Sequence, residues 1–248
     1  MSEIVNSQIF SARTFTDDDQ REFVRMSGDA NPIHADAIAA AKTFAGGIIV
    51  HGVHGLMWSL DAYLRQNPDF QIQSLQANFL KPIRLNQEVV ASAQRISEGL
   101  KLTLTCAGVE VTTAKIMSGV APRPEGGDFS GVGHAASRQI KIDELAGVSG
   151  QLVMAEAARE LAQKFPALAA AVGSIVIAGL GSLATLVGME CPGLYGVSTG
   201  VAVAIATDGG PLTYKVTRVD RRFYHAQIEV RGYGLTGTVS AFINQPRA

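Results

Sequence analysis

The chain has 248 residues, of which 47% are hydrophobic and 17% charged, a composition typical of a globular protein with one large or two small domains. Its 21 basic and 22 acidic residues give a net charge of -1, which excludes an electrostatic drive towards nucleic acid or an anionic membrane surface. The two cysteines, Cys106 and Cys191, are too few and too far apart for a disulfide framework or a zinc site, and no signal-peptide pattern begins the sequence. We therefore expect reduced thiols and a cytoplasmic location.

Helix signals dominate the first 66 residues. Thr16 is a good N-cap before three aspartates, and Phe23 and Met26 share one face, so the pattern predicts a helix over 17–26. A Gly-Asp-Ala-Asn-Pro turn follows at 28–32. A short helix over 35–43 and a long apolar helix over 48–66 come next, and the latter ends at an Asn-Pro pair.

Strand signals then replace helix signals, and the whole order returns once. Strands are predicted at 71–79, 87–96, 101–109 and 111–120, before a stretch rich in proline, glycine and aspartate at 121–134. The second round consists of helices at 152–164 and 174–188 and strands at 196–206, 212–220, 223–233 and 235–244. A shift of 127 residues aligns 47–53 with 174–180. We predict two repeats of one architecture, at 1–122 and 135–248, joined by a linker at 123–134.

An apolar run at 167–189 is long enough to span a membrane. Six glycines and serines interrupt it, so we expect helices buried by other parts of the protein and no membrane span. In both repeats one long helix precedes the strands, which is the order expected when an antiparallel sheet wraps around a central helix.

A carboxylate and an imidazole occur close together in the turn after the first helix. Asp29 and His34 are five residues apart with an Asn-Pro bend between them, so both side chains can face one pocket. Such a pair can hold one water molecule and move its protons, because imidazole titrates near neutrality while aspartate stays ionised. Asn31 can fix the loop or position Asp29 by hydrogen bonding. Taken singly, each of the pair is more often structural, as an Asx-turn aspartate or as a satisfied surface or core histidine.

The start of the long helix offers a second element of chemistry. Backbone N–H groups at a helix N-terminus lack partners within the helix and lie at its positive end, which suits a thioester oxygen that gains enolate charge. Gly52 would let a substrate approach that backbone closely. The alternatives are that Gly52 and Gly55 only permit close helix packing, and that His51 and His54 are structural.

Together these residues resemble the signature of the MaoC-like dehydratases and (R)-specific enoyl-CoA hydratases. In that signature an aromatic residue and two small ones precede Gly-Asp-x-Asn-Pro-aliphatic-His, and Ala or Ser follows after five residues. The sequence matches it at Phe23, Ser27, Gly28, Asp29, Asn31, Pro32, Ile33, His34 and Ala40. Met26 departs from it conservatively, and the Val50-His51-Gly52 sequence is also similar to the family. The resemblance covers about residues 8–122.

The resemblance implies an α+β fold of the double hot-dog type, in which each repeat wraps an antiparallel sheet around a long central helix. It implies that Asp29 and His34 activate the water that is added to a 2-enoyl thioester or removed from an (R)-3-hydroxyacyl thioester, and that the Gly52 N–H binds the thioester oxygen. It also implies no metal and no redox cofactor, with CoA or phosphopantetheine entering as part of an acyl-CoA or acyl-carrier-protein substrate. Further candidate substrate contacts are Asn31, His51, Val53, Gly55, Ser59 and Phe79. Leu60 stands where some relatives carry a serine near the thioester, so that contact is not transferred.

The second repeat lacks the catalytic signature. Under the same shift Asp29 falls on Glu156, and His34 falls on Leu161. We expect the chain to form a pseudo-dimer with a single active centre, and further homodimerisation stays open. In eukaryotic double hot-dog relatives the catalytic repeat is usually the second, so substrate length is not transferred from them. Four basic residues of the last strands form a solvated face or a patch for CoA phosphates or a carrier protein: Lys215, Arg218, Arg221 and Arg222.

Three other functions stay open on the sequence alone. The chain could be a dehydratase of a branched or dicarboxylic acyl thioester, a non-catalytic thioester-binding protein, or a thioesterase. The intact Asp29 and His34 pair argues against a simple binding protein, which has no need to activate water. A thioesterase carboxylate normally lies differently relative to the central helix of this fold.

Overall fold

The chain folds as two successive groups of helices and strands, and the computed structural model describes residues 7–126, 136–153 and 156–244. The first group consists of β1 (Gln8–Thr14), α1 (Asp17–Ser27), α2 (Pro32–Ala35), α3 (Ala37–Ala41), α4 (Gly52–Gln66), β2 (Ile72–Phe79), β3 (Glu88–Ile96), β4 (Gly99–Cys106) and β5 (Val109–Ser118). The second group consists of β6 (Ser149–Leu152), α5 (Leu161–Lys164), α6 (Pro166–Val172), α7 (Ser174–Thr185), β7 (Gly196–Ile205), β8 (Leu212–Asp220), β9 (His225–Gly232) and β10 (Leu235–Ile243). A π-helical turn, Leu186–Glu190, continues α7.

All ten strands form one antiparallel sheet in the order β1-β3-β4-β5-β2-β7-β10-β9-β8-β6. From its two edges inwards the sheet has the same pattern twice, β1-β3-β4-β5-β2 and β6-β8-β9-β10-β7. The halves join where residues 74–78 of β2 pair with residues 200–204 of β7. This correspondence agrees with two repeats of one architecture. The boundaries proposed at 122 and 135 stay a prediction, and residues 127–134 of the proposed linker lie outside the described residues.

The two long helices, α4 and α7, contact each other and bury most of their residues. On β2 and β8 buried side chains alternate with exposed ones over most of the strand, as expected when one face of a sheet covers a core. A single hydrophobic cluster extends from Phe15 and Leu56 in the first half to Ile177 and Val239 in the second. The architecture is α+β and of the hot-dog type, which confirms the predicted fold class.

The helices at the site begin and end differently from the prediction. The long helix starts at Gly52 and not at 48, because the Val50 N–H donates to the Ile83 carbonyl and Ile49 bridges to Arg84, which keeps this backbone extended. The helix predicted at 35–43 is two short helices, since Asp36 ends α2 and its carboxylate caps α3 by accepting from the Ile38 and Ala39 N–H groups. Both changes belong to the loop that carries the candidate site.

Two edge strands were missing from the prediction, and one helix was overestimated. β1 and β6 are short outer strands whose residues are mostly exposed or half-buried, so neither shows a clear alternating apolar pattern. The helix predicted at 152–164 is the end of β6, a 3-10 turn at Glu156–Glu160 and α5. The other predicted strands are present, but the turn between β4 and β5 falls at residues 107–108, where both φ angles are positive.

Within the described residues no single helix is long and apolar enough to cross a membrane. One pair of helices, Pro166–Val172 and Ser174–Glu190, passes by combined length and composition, but it is bent by 112°. Cys106 and Cys191 are both buried and unpaired with each other, and burial raises the pKa of the Cys191 thiol to about 12.

Candidate functional site

The turn after α1 holds Asp29 in a buried position. Gly28 ends the helix in the left-handed conformation with a φ of 81°, and its N–H donates to the Val24 carbonyl. The Asn31 N–H then donates to Asp29 Oδ1 at 3.1 Å, which is an Asx-turn. Only 2% of Asp29 is exposed. Asp29 therefore forms an Asx-turn, as the structural alternative expected, and this does not exclude a chemical role for its buried carboxylate.

His34 lies on α2 with its ring fixed by one backbone group. Its Nδ1 is 2.8 Å from the Ile49 carbonyl oxygen. Because a carbonyl can only accept, Nδ1 carries the proton, and Nε2 of the neutral ring is left as an acceptor. A carboxylate oxygen of Asp29 and a ring nitrogen of His34 lie within 4.8 Å of each other. Two hydrogen bonds of ordinary length to one water molecule span about 4.6 Å, so the two side chains are close enough for one small molecule to contact both.

Asp29, His34 and His51 form one cluster of polar side chains, in which His51 is the nearest side-chain partner of Asp29. Its Nε2 is 3.3 Å from Asp29 Oδ2 and 3.3 Å from the Asp29 carbonyl oxygen. The His51 ring also stacks on the His34 ring, with centroids 3.7 Å apart. The sequence predicted a substrate contact for His51, but its direct contact with the carboxylate was not predicted.

Asp29, His34 and His51 line one cavity of about 180 Å³ between the two halves of the chain. The first half adds the start of α4 and the end of β2, and the second half adds α7, the π-helical turn and β7. The lining is mostly apolar, and it includes three large apolar side chains that are exposed to solvent: Phe44, Leu80 and Phe242. A mostly apolar pocket with a few convergent polar groups is the usual form of a small-molecule site.

Gly52 opens α4 at the wall of this cavity, directly beneath the ring of Phe79. A Cβ at position 52 would lie 2.7 Å from Phe79 Cγ, so only glycine fits under this ring. The first N–H groups of a helix have no acceptor within it, and they can donate to a group held in the cavity. Val53 and Phe79, two of the predicted substrate contacts, also line the cavity.

Three predicted substrate contacts lie elsewhere. Gly55 and Ser59 are buried inside α4 away from the cavity, and the Ser59 hydroxyl donates to the Leu56 carbonyl of its own helix. Asn31 lies behind Asp29, and its amide nitrogen donates to the Gly188 carbonyl at 3.0 Å. In this geometry Gly55 and Ser59 have no access to a molecule in the cavity. Asn31 attaches the loop after α1 to the second half of the chain.

The second half supports the site at the π-helical turn, a role that was not predicted. Gly188 packs so closely on Asp29 that a Cβ there would lie 2.6 Å from the carboxyl Cγ. The Thr185 hydroxyl donates to the Ser27 carbonyl at the end of α1. These contacts join residues more than 150 positions apart, so local sequence patterns carry no signal for them.

Burial controls the charge of the cluster. Burial alone would raise the pKa of Asp29, but the adjacent His51, whose ring nitrogen hydrogen-bonds to the carboxylate, holds it below its ordinary value, together with His34 and the Asn31 N–H. Burial lowers the pKa of His34 to about 3, with His51 adding to the effect and Asp29 and the Ile49 carbonyl opposing it. At neutral pH the site therefore contains an ionised carboxylate beside a neutral imidazole.

The same three residues, Asp29, His34 and His51, could in principle hold a metal ion, because one ligand atom of each lies within 4.8 Å of the others. Their geometry does not favour it. The two rings stack face to face, so their in-plane lone pairs run side by side and do not converge on one point. One His34 nitrogen is also committed to the Ile49 carbonyl. The metal-free site expected from the sequence stays a prediction.

The chain is similar to one sequence family and to several solved structures. Residues 4–116 match the sequence family described as MaoC like domain. No curated protein sequence matches the chain. A solved structure described as a MaoC-like dehydratase superposes with a TM-score of 0.65 at 13% identity, covering 98% of this chain and 99% of that one. A MaoC domain protein from Chloroflexus aurantiacus J-10-fl superposes with a TM-score of 0.66 at 8% identity, covering 99% and 97%. At these identities the structural likeness is one of fold.

Proposed function

Because residues 4–116 match the MaoC-like domain family, we propose that the protein reversibly adds water to 2-enoyl thioesters, giving 3-hydroxyacyl thioesters. One observation carries the proposal. The Asp29 carboxylate and the His34 imidazole line the same apolar cavity within 4.8 Å of each other, beside the first residue of α4. The (R) configuration of the product is an expectation from the family resemblance alone.

In the proposed mechanism His34, Asp29 and the Gly52 N–H each have a separate role. His34 Nε2 takes a proton from the bound water while the water oxygen attacks C3 of the enoyl group, and Asp29 orients that water. The C2–C3 π electrons shift towards C2 and the thioester carbonyl, whose oxygen gains charge and accepts from the Gly52 N–H. The proton held by His34 then returns to C2, directly or through Asp29. One hydrogen and one hydroxyl have been added, and no redox cofactor is needed. CoA or phosphopantetheine enters as part of the substrate.

The first test follows the loss of the conjugated enoyl absorbance of crotonyl-CoA and of longer enoyl-CoA and enoyl-carrier-protein substrates. We expect Asp29→Asn and His34→Ala each to lower kcat at least a hundredfold, because general acid–base groups commonly contribute that much or more. Asp69→Asn, at an exposed carboxylate next to the end of α4, is the matched control and should retain the wild-type rate.

Two results would contradict the proposal. Wild-type rates in both site variants would remove the water-activating pair from the mechanism. Release of free thiol without formation of a hydroxyacyl thioester would identify a thioesterase, in which water attacks the carbonyl carbon and not C3.

A further inference from the structure

Gln20 of α1 lies buried behind the cluster with all its amide hydrogen-bonding groups in use. Only 1% of it is exposed, although its neighbours on the same helix face, Phe23 and Met26, are apolar. Its Nε2 lies 3.0 Å from the Ile49 carbonyl oxygen and 3.1 Å from His51 Nδ1. Its Oε1 lies 3.3 Å from the Nδ1 of His54. A fully satisfied buried amide of this kind fixes the orientation of its partners.

The Ile49 carbonyl decides which way the amide faces. A carbonyl oxygen only accepts, so the Gln20 atom at 3.0 Å from it must be the nitrogen. The reversed amide would set two oxygens against each other at that distance. With this orientation Oε1 faces His54, whose Nδ1 must therefore carry a proton in order to donate.

The same amide fixes the proton on His51. The second N–H of the Gln20 amide points to His51 Nδ1, which must accept and so carries no proton. The His51 ring is then neutral with its proton on Nε2. That nitrogen lies 3.3 Å from Asp29 Oδ2 and 3.3 Å from the Asp29 carbonyl oxygen, so Asp29 receives a donor.

His34 is linked to Gln20 through the carbonyl that they share. The Ile49 oxygen accepts from both Gln20 Nε2 and His34 Nδ1, which uses its two lone pairs. We propose that Gln20 is the positioning residue that sets the tautomer of His51, so that Asp29 is held by an N–H donor, beside a His34 whose own tautomer the shared Ile49 carbonyl sets. This role rests on the proposed hydration chemistry, whereas the tautomers themselves do not.

His54 agrees with this proton arrangement. Its Nε2 is buried and has no hydrogen-bond partner among the described residues, as expected for the unprotonated nitrogen of an Nδ1–H ring in an apolar environment. The ring stacks on Phe23 with centroids 4.3 Å apart and meets Phe15 edge-on at 4.9 Å. His54 therefore holds the Gln20 oxygen from the side away from the cavity.

The test reads the tautomers directly by NMR of the protein with 15N-labelled histidine side chains. The sequence contains five histidines, and His51→Ala and His54→Ala assign the signals of the cluster. In the wild-type protein we expect Nε2–H for His51 and Nδ1–H for both His34 and His54. A proton on His51 Nδ1 in the wild type would overturn the proposal without any variant having to fold.

Two substitutions then alter the amide. In Gln20→Met the donor to His51 Nδ1 is lost, so this nitrogen becomes free to take up a proton. We expect His51 to leave the single Nε2–H tautomer, with a 10- to 100-fold lower kcat and KM changed less than threefold. In Gln20→Glu the carboxylate can only accept, so His51 Nδ1 should take up a proton while Nε2 keeps the proton that it donates to Asp29. Gln66→Met is the matched control, since Gln66 is an exposed glutamine whose amide donates only to the Phe10 carbonyl, and neither tautomers nor kcat should change.

The outcomes separate the two proposals. Unchanged tautomers in Gln20→Met, or altered tautomers with an unchanged kcat, would overturn the positioning role. A wild-type protein that hydrates no enoyl thioester would refute the proposed function, while the NMR result would still decide how the protons are arranged.

Discussion

At the scale of single residues, the site depends on a histidine that burial keeps neutral. An imidazole with the ordinary pKa of about 6.5 would be partly charged near neutral pH and would then have no free lone pair for a water proton. The His34 pKa of about 3 removes that competition, and the Ile49 carbonyl fixes which nitrogen is free. The ionised Asp29 beside it keeps its charge because His51 donates to it.

The neutral state of His34 has a consequence for stability. Between pH 6.5 and about 3 the unfolded chain takes up a proton at this position and the folded protein does not, so the free energy of unfolding falls as the pH is lowered. The slope from one such group is at most about 1.4 kcal/mol per pH unit. Burial also lowers the pKa of His54, so it acts in the same direction. Asp29, whose folded pKa lies below its ordinary value, adds a further loss only below about pH 4.

We therefore predict that urea unfolding between pH 7 and pH 5 will show falling stability, and that His34→Asn will show a shallower slope. Restricting the range to pH 5 and above separates the histidines from Asp29. An identical slope in the variant would mean that the folded protein can protonate His34 without loss, and the neutral imidazole would have to be abandoned.

The sequence singled out individual site residues more readily than the contacts between them. Asp29 and His34 could be proposed from the sequence because the Asn-Pro bend and the surrounding signature are local. Gln20 carried a usable signal, a polar side chain on the apolar face of an amphipathic helix, but its partners His51 and His54 lie about thirty residues away. Direct contacts of that range depend on how α1 packs on α4, which no spacing in the sequence encodes.

At the scale of elements, the π-helical turn after α7 is a part of the second half that contacts Asp29 and Asn31 directly. The Gly188 backbone approaches the Asp29 carboxylate, and its carbonyl accepts from Asn31. A π-helical turn widens the helix by one residue per turn, and such turns are frequent at functional sites. The second half of the chain thus forms one wall of the candidate site in the first half.

Gly188→Ala tests whether the π-helical turn restrains the Asp29 carboxylate. The added methyl group would lie 2.6 Å from Asp29 Cγ, so the carboxylate or the turn must shift. A displacement of about 1 Å at a catalytic group commonly costs about a hundredfold in rate, and we expect a loss of that order in kcat with the fold retained. The measurement is the enoyl thioester hydration rate together with the circular dichroism spectrum.

Gly47→Ala is the matched control for this substitution. A Cβ at Gly47 meets no atom within 4 Å, and its φ lies outside the left-handed region, so activity should be unchanged. Equal activity of Gly188→Ala and the wild type would show that the turn does not restrain Asp29.

At the scale of the whole molecule, the two halves share one sheet and one core. The sequence predicted the repeated order of helices and strands because periodic apolar patterns are local. It missed the outer strands β1 and β6 because their residues are mostly exposed or half-buried and show no clear alternation. The pairing of β2 with β7 and the packing of α4 on α7 join segments far apart in the chain. The continuous hydrophobic cluster follows from these long-range contacts.

A shared core predicts that the halves unfold together. Ile228 is fully buried on β9, which pairs only with other strands of the second half, while Trp58, the chain's single tryptophan, lies on α4 of the first half. Ile228→Ala should cost about 3 kcal/mol, which for a chain of this size lowers the thermal midpoint by roughly 6–12 °C. We expect the same shift in Trp58 fluorescence and in circular dichroism, because a cooperative unit has one transition whichever probe reports it.

The matched control for that experiment is Val109→Ala, at an exposed valine at the start of β5, which should leave both midpoints within about 2 °C of the wild type. If Ile228→Ala lowered the circular dichroism midpoint while Trp58 fluorescence kept its wild-type midpoint, the second half would unfold first. The first half would then retain its core without its partner, and the Asp29 loop would lose the restraint at Gly188 before the rest of its own repeat melted. Enoyl thioester hydration measured at temperatures between the circular dichroism and fluorescence midpoints would detect this partly unfolded state. The hydration activity should be lost when the second half unfolds, before the first half does.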